Sequence, residues 1–502
     1  MRYLLTAGQA KKLDEHAIGV IGFPGLVLME KAAMTLASVL MEREDRRSGF
    51  LFVCGTGNNG GDGLAAARLL CQQGYRAAAV LIGNPEKLSE DAKTQMKLAA
   101  ACDVPVLQAE SVLSPCYDII IDALFGVGLD RAITGVYERI ITEINAAGKK
   151  VYAVDIPSGI HGDDGAVMNV AVRASATITF GTNKRGLVLY PGCEYAGEVI
   201  VGDIGYPRVS YEAIGPTAYY YEPDDLKRVL PVRRPDGHKG SFGRVSVIGG
   251  SASMSGAALF SARAAYTSGA GLVKIYSAVK NRDVLMSGVP EALFAGYDRE
   301  EEGETVVNRE ALDEAMEWPD CLILGPGLGT GEMSADIVSY VLEHCLKPIV
   351  LDGDGITLCS KELLRKKEDI ILTPHPKEFS RITGREVSEL KKDFVNEVAS
   401  FARETGCIVA GKDARTVVSN GQEVYVNVSG NSGMGTGGSG DVLTGIIAGM
   451  LVQGLDCFAA ARVGVYLHGL AGDCFSERLN EYSLTATGLL EGLKEALSQI
   501  EG

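Results

Sequence analysis

The chain has 502 residues, 46% hydrophobic and 22% charged, with 64 acidic against 48 basic side chains and a net charge of −16. An acidic balance without a basic block excludes a nucleic-acid or anionic-membrane surface, although local amides and a few lysines can still hold small anions. Eleven cysteines stand without a CxxC pair, no leader pattern opens the chain and no apolar run has spanning length, so a reduced, cytoplasmic protein of roughly two to four domains is expected.

Residues 6–46 read as two helices, TAGQAKKLDEHAIGVIG and LVLMEKAAMTLASVLMERE, joined at Gly22-Phe-Pro-Gly25. The apolar strands FLFVCG, AAAVLIG, CYDIIIDALFG, KKVYAVDIPSG and ATITFG then alternate with helical segments. Such alternation indicates a parallel sheet covered on both faces. After VIVGDIGYPR a Tyr- and Pro-containing stretch, 205–235, reads as a linker. The pattern restarts with RVSVIGGS, GLVKIYSAV, CLILGPGLG, PIVLDGDG, DIILTPHPKEF and CIVAGKDARTVVS. Motif order does not repeat between the halves. The chain is therefore expected to be a fusion of two unlike α/β domains, 1–215 and 224–502.

Strand FLFVCG runs straight into GTGNNGGDG, Gly55–Gly63, where the crevice of such a sheet lies. The formal G-x-G-x-x-G match is weak alone, and the next strand ends Leu81-Ile-Gly-Asn84 without the acid that would hold a ribose. Ordinary NAD cofactor binding is disfavoured. Asn58, Asn59 and Asp62 add polar groups that a plain phosphate cradle does not need, and Asp122 and Asp155 end neighbouring strands. Singly each is as readily a cap or turn residue; together at strand ends they form a site. Asn59, Asp122 and Ser158 can jointly ligate a hard cation through oxygen.

GTGNNGGDG, DALFGVGLDR and VDIPSG, in this order, resemble the NAD(P)H-hydrate epimerase domain. The resemblance implies a Rossmann-like three-layer sandwich. It implies that Asn58, Asn59, Gly60, Gly61, Asp62, Gly126, Val127, Gly128, Leu129, Asp130, Arg131, Ala132 and Asp155 contact the hydrated nucleotide. It also implies potassium (K+) at Asn59, Asp122 and Ser158, with Asp122 near the epimerised carbon. Epimerisation at C6 requires reversible loss of hydroxyl or ring opening, for which a strand-end carboxylate suits as acid–base. The same domain shape occurs in non-catalytic scaffold proteins of RNA decay, which lack the intact loop.

In the second half, Lys239 sits in the glycine-flanked turn HKGSFGR, as a phosphate contact or a solvated surface lysine. No Walker sequence exists, which excludes a P-loop enzyme. Gly325-Pro-Gly-Leu-Gly329 leaves room for a ligand, and Asp352 and Asp354 hold a metal–phosphate or cap a turn. Prolines on both sides of His375 fix its ring at a strand end, as a substrate contact or a structural pin. Gly411–Thr416 forms a turn able to enclose ribose and phosphate. Six glycines lie between Gly430 and Gly440, immediately before Asp441 and the apolar segment VLTGIIAGMLVQG. A loop this rich in glycine brings backbone amides to a helix N-terminus and makes an anion site, where Asp441 orients or deprotonates a hydroxyl. The plainer reading is that Asp441 or Ser439 only caps that helix.

These motifs in order resemble the ribokinase-like superfamily, and within it the ADP-dependent NAD(P)H-hydrate dehydratase. The resemblance implies a ribokinase-like α/β domain with Asp441 catalytic and Mg2+ entering with ADP. Lys412, Asp413, Ala414, Arg415, Thr416 and Gly440 map to the nucleotide, with Lys239 as a phosphate contact, and Ala257, Gly327, Gly329, His375 and Asp441 to the hydrate. The preference for ADP over ATP rests on this resemblance. Expected partners are the small molecules NADHX, NADPHX and ADP, with no nucleic acid and no membrane, in a homo-oligomer. A sugar or vitamin-precursor kinase fused to a non-catalytic nucleotide-binding module is the competing reading. A nucleotide sensor with degenerate sites is another. The glycine loop reports phosphoryl transfer to a hydroxyl; the fused epimerase-like half favours repair of both hydrate epimers.

Overall fold

The strand GFLFVC, Gly49–Cys54, is buried at every position, as a strand covered by helices on both faces must be. The structure, a computed structural model, describes residues 2–108, 116–215 and 217–501. Two compact units divide the chain, Arg2–Ala218 and the residues from Tyr219 onward. The first unit holds a seven-stranded sheet in the order Val106–Gln108, Arg76–Leu81, Gly49–Cys54, Ile119–Ala123, Lys150–Val154, Ala176–Phe180 and Glu198–Gly202. Every pairing in it is parallel. Chain order reverses between Gly49–Cys54 and Ile119–Ala123, so the crevice opens beyond the carboxyl ends of those two strands. Helix Ala7–Glu15 is started by a Thr6–Gln9 capping box, and helix Gly25–Arg43 buries Leu28, Ala33, Leu36 and Leu40. The short strands Arg2–Leu5 and Asn183–Lys184 also pair in parallel.

The second unit repeats the principle with other strands. Its sheet runs Leu293–Gly296, Leu272–Ser277, Arg244–Ile248, Cys321–Leu324, Ile349–Leu351, Ile370–Leu372 and Ile408–Gly411, all parallel. The antiparallel strands Val417–Ser419 and Val424–Val426 extend it. Reversal falls between Arg244–Ile248 and Cys321–Leu324. Helix Ser439–Val452 is apolar almost all round and buried accordingly. It seats on helix Ser255–Thr267 through Gly445 and Gly449. A Cβ at either would fall 2.2 Å from the Ser261 carbonyl oxygen or the Ser268 hydroxyl, respectively.

The stretch 205–235 is not a plain linker. It contains helix Arg208–Ala213, strand Ala218–Tyr220 and helix Pro223–Val229; Pro216 lies outside the described residues. Tyr219, Tyr221 and Leu226 are buried in the second unit's core, where Tyr221 packs on Tyr425 with ring centroids 4.9 Å apart. The aromatic residues that read as linker composition are core residues. Among the described residues no helix is long and apolar enough to cross a membrane.

Candidate active sites

In the first unit, helix Asn58–Gln72 begins inside the glycine motif, with no side chain capping its first turn. Its leading amides are therefore left for a ligand. Close backbone approach dictates the glycines here: a Cβ on Gly60 would lie 2.0 Å from the Gly55 carbonyl oxygen. Asp122, on strand Ile119–Ala123, is fully buried. Its Oδ1 accepts from the Ser158 hydroxyl at 2.6 Å, and its Oδ2 from the Ser158 N–H at 2.7 Å. Burial pushes this carboxyl up to about 6, against the pull of Ser158. Asn59 is 9% exposed, and neither its Oδ1 nor its Nδ2 has a hydrogen-bond partner. It faces Gly126, whose Cβ would stand 3.7 Å from Asn59 Oδ1. Asn59, Gly126, Asp122 and Ser158 thus form one neighbourhood, with the Phe125 N–H donating to Ser158 Oγ at 2.9 Å.

A second cluster forms around Asp155, which has a left-handed φ of 67°. Its Oδ1 accepts from Lys184 Nζ at 2.5 Å, from Thr179 Oγ1 at 3.1 Å and from the Phe180 N–H at 3.4 Å. Lys184 is 3% exposed. Its ammonium also donates to Thr179 Oγ1 at 2.7 Å and to the Phe180 carbonyl at 3.0 Å, which uses all three of its hydrogens. Asp62, half-buried, has its carboxyl held well above the ordinary range by burial and then by Asp155 and Asp14. Lys184 and Thr179, which hold Asp155, were not legible from the sequence; the signal for Lys184 was a lysine placed just beyond the apolar strand ATITFG. Of Gly126–Ala132, Val127 packs against Gly162 and Leu129 against the apolar core, while Gly128, Asp130, Arg131 and Ala132 are exposed.

In the second unit the glycine loop is anchored by Asp473, which accepts from the Gly430 N–H at 2.8 Å and from Asn431 Nδ2 at 3.0 Å. Gly438, at φ 88°, stands at the N-cap of Ser439–Val452 without a side-chain cap. Neither Ser439 nor Asp441 caps the helix. Ser439 Oγ instead pairs with His468 Nε2 at 3.2 Å, and burial lowers that imidazole to about 4. Lys412 Nζ donates to Asp352 Oδ1 at 2.7 Å and lies so near Gly440 that a Cβ there would be 3.1 Å from it. Thr373 Oγ1 donates to the same Asp352 oxygen at 2.5 Å. Burial would lower the Lys412 ammonium, but Asp352 and Glu378 hold it above its ordinary value. Burial, with Asp352 adding and Lys412 opposing, pushes Asp441 up to about 7. Glu378 reaches about 7 by burial first, again with Lys412 opposing.

The backbones of Gly249–Ser251 and Gly325–Gly329 are tied together at the reversal point: the Gly250 N–H donates to the Pro326 carbonyl at 2.8 Å, and the Ser251 N–H to that of Gly327 at 2.6 Å. A Cβ on Gly327 would fall 2.7 Å from the Ala257 methyl group, and the Gly329 N–H donates to Asp354 Oδ2 at 2.7 Å. His375 is the N-cap of helix Pro376–Thr383; its Nδ1 accepts from the Lys377 and Glu378 N–H groups, and Glu378 Oε1 lies 3.2 Å from its Nε2. Its ring is pinned in a capping box, and burial followed by Lys412 lowers its basicity. Glu378, inside the quoted motif, was overlooked beside that histidine. Lys412–Thr416 is the turn between Ile408–Gly411 and Val417–Ser419, with Asp413 paired to Lys391 at 2.9 Å and Arg415 donating to the Val428 carbonyl at 2.8 Å.

Lys239 needs a correction. It is exposed, and its carbonyl oxygen is the atom that a Cβ on Gly271 would strike, at 1.9 Å. Gly271 and Lys239 therefore lie at the amino ends of Leu272–Ser277 and Arg244–Ile248. Gly249 and Gly325, by contrast, follow the carboxyl ends of their strands, roughly one strand length (about 16 Å) away. Lys239 does not join Lys412 and Gly440.

Comparison with known proteins agrees with this division. A family model described as NAD(P)H-hydrate dehydratase matches residues 245–495, and one described as YjeF-related protein N-terminus matches residues 25–186. A bifunctional NAD(P)H-hydrate repair enzyme of Thermofilum pendens is 36% identical, across 97% of this chain and 95% of its own. One of Moorella thermoacetica is 34% identical, across 99% and 97%. Among solved structures, a ribokinase-like superfamily protein of Enterococcus faecalis is 30% identical with a TM-score of 0.50, covering 56% of this chain and 96% of its own.

Proposed function

The chain belongs to the bifunctional NAD(P)H-hydrate repair enzymes, and we propose which residues carry its two reactions. The enzyme interconverts the R and S epimers of hydrated NADH and NADPH and dehydrates the S epimer. Residues 1–215 are assigned to epimerisation and 224–502 to dehydration, which we read as driven by ADP, giving AMP and phosphate.

For the second domain the carrying observation is the juxtaposition of Lys412 Nζ, Gly440 and Asp441 at an uncapped helix N-terminus. Free amides, the helix dipole and one ammonium suit a transferring phosphoryl group. Asp441, with its carboxyl near 7, suits taking the proton of the C6 hydroxyl as that oxygen becomes phosphorylated; the ring nitrogen's electron pair then expels phosphate. Lys412, Asp413, Ala414, Arg415, Thr416 and Gly440 are assigned to the nucleotide. Ala257, Gly327 and Gly329 are assigned to the hydrate, with His375 fixing Glu378 beside it. Mg2+ carried by the nucleotide supplies charge neutralisation. The donor set fits such an ion, since Asp352 Oδ2 would lie 3.8 Å from a Cβ on Gly440, and Mg2+ needs only one or two carboxylates beside its phosphates.

In the first domain Asn58–Asp62, Gly126–Ala132 and Asp155 are assigned to the hydrate. Asn59, Asp122 and Ser158 would hold potassium, which would supply a fixed positive charge, and the donors fit: Oδ1 of buried Asn59 lacks a partner, beside a buried carboxylate and hydroxyl. Because both Asp122 oxygens accept from Ser158, whereas Lys184, Thr179 and Phe180 all bond to Asp155 Oδ1, we assign acid–base work to the Asp155 carboxyl, held by Lys184, and keep Asp122 as a ligand. Cytoplasmic location and a homo-oligomer complete the proposal.

Purified protein given both NADHX epimers, ADP, Mg2+ and K+ should restore the NADH absorbance band completely. Asp441→Ala should abolish dehydration and leave epimerisation. Loss of both activities together would contradict separate sites, and recovery of a single epimer by the unaltered protein would remove the epimerase.

A further inference from the structure

Epimerisation at a carbon that bears a hydroxyl and a ring nitrogen makes the same demand on both faces. A proton must reach the departing oxygen, and another must leave the arriving one. One acid–base group serves one face; Asp155 with Lys184 is that group in the reading above. Asp14 supplies the other feature. It stands near the end of helix Ala7–Glu15, where only Leu13 is buried, and its sequence context is that of a solvated face.

Three contacts fix it elsewhere. Tyr206 donates its hydroxyl hydrogen to Asp14 Oδ1. The Tyr206 ring is pressed onto Gly181, where a Cβ would lie 2.6 Å from Cε2, and Tyr211 donates to the Gly181 carbonyl at 3.3 Å. Just beyond the helix end, His16 Nδ1 pairs with Ser210 Oγ at 3.0 Å, tying the helix to Arg208–Ala213. Gly181 follows Phe180, whose N–H reaches Asp155 and whose carbonyl accepts from Lys184. Asp14, Tyr206, Gly181, Phe180, Asp155 and Lys184 are thus one contiguous set, and Asp14 keeps part of its surface open to solvent while the surrounding protein crowds its carboxyl.

We propose that Asp14, held by Tyr206, is a second acid–base group of the epimerase crevice, serving the face of the substrate ring that the Asp155–Lys184 pair does not. The proposal rests on the epimerase reading. Crowding supports it: burial raises the Asp14 carboxyl, the Tyr206 hydrogen bond lowers it, Asp155 and the adjacent Glu15 raise it, and Lys184 lowers it. Asp62, on helix Asn58–Gln72, in turn feels Asp155 and Asp14. In one direction the protonated Asp14 gives its hydrogen to the C6 hydroxyl. The C6–O bond breaks, water departs, and the N1 lone pair forms the N1=C6 double bond. Water on the other face then adds to C6, its proton passes to the Asp155 carboxylate, and the π pair returns to nitrogen. One water leaves, one enters, and a proton moves from one carboxyl to the other, to be returned through solvent. The reverse direction exchanges the two roles.

The test uses the full chain with purified R and S epimers in separate reactions, each corrected for the spontaneous rate. Asp14→Asn should lower kcat for conversion of the R epimer by about 100-fold or more, in the range of a lost general acid–base, with KM little changed. Asp14→Glu, which keeps the carboxyl, should recover at least a tenth of the rate, and Tyr206→Phe should lose about tenfold. Dehydration of the S epimer should stay at the unaltered rate in all three. An Asp14→Asn rate within threefold of the unaltered enzyme would overturn the assignment, as would equal loss in Asp14→Asn and Asp14→Glu. Failure of the unaltered enzyme to convert the R epimer would instead overturn the epimerase reading.

Discussion

Lys412 is set against the acidic side chains Asp352, Glu378 and Asp441, and Lys412→Met removes its charge while keeping most of its length. Lys412 Nζ lies 2.7 Å from an Asp352 oxygen, with the two side chains 20% and 6% exposed. Removing one member of a buried pair costs about 3–5 kcal/mol, because the other is left charged and unpaired. Thr373 Oγ1 continues to donate to that oxygen, so the lower figure applies, about 3 kcal/mol. For a domain of this size that lowers the melting temperature of the second unit by about 6–12 °C. Calorimetry of the nucleotide-free chain measures it, and Asp352→Asn, alone and combined with Lys412→Met, completes a double-mutant cycle. The two changes should couple by about 2 kcal/mol. A coupling under about 0.5 kcal/mol would refute the idea that this pair organises the nucleotide end of the site, whatever the effect on turnover. Dehydration should fail in Lys412→Met while epimerisation continues.

Raised carboxyls make the second unit sensitive to pH in a defined direction. Asp441 moves from 3.8 to about 7, and Glu378 from 4.5 to about 7. A carboxyl raised on folding contributes stability that is full below its unfolded value and is lost as pH climbs through its folded value. Between about pH 4 and 7 the nucleotide-free unit should therefore lose stability from these two groups, by a few kcal/mol at most since Asp441 is only half-buried. Asp441→Asn should flatten that slope and melt above the unaltered chain at pH 7.5; an unchanged slope in calorimetry would count against the crowding. In the first unit, Asn59→Ala should abolish any extra thermal stability conferred by KCl over NaCl, about 2.7 kcal/mol at a hundredfold excess over the dissociation constant. Equal stabilisation of both proteins by both salts would remove potassium from Asn59.

Two α/β units with glycine loops at strand ends were legible because buried parallel strands are continuous apolar runs and tight crevices demand glycine. FLFVCG, CYDIIIDALFG and CLILGPGLG needed no tertiary information. The stretch 205–235 misled because Tyr219 and Tyr221 look like surface composition, although the second core takes up their rings. Lys184 was hidden by distance along the chain: its partner Asp155 is 29 positions earlier and no motif joins them. The Asp14–Tyr206 contact was hidden because helical periodicity marks Asp14 as solvated, as it partly is, and cannot register a tyrosine arriving from position 206. Lys239 erred in the opposite way. A lysine among glycines has the local look of a phosphate contact, but which end of a strand a turn occupies is decided by the path of the whole chain.

Gly445 and Gly449 have a consequence for how this enzyme can change. With no side chain between the two helices there, Ser439–Val452 lies directly on Ser255–Thr267, and a larger residue at either glycine would push the helix that carries Asp441 off its neighbour. Selection for another hydroxyl-bearing acceptor should therefore gather its useful substitutions in 254–257 and 325–329, the loops around Gly327. Changes along the helix seam should vanish from the same library however far they stand from the acceptor.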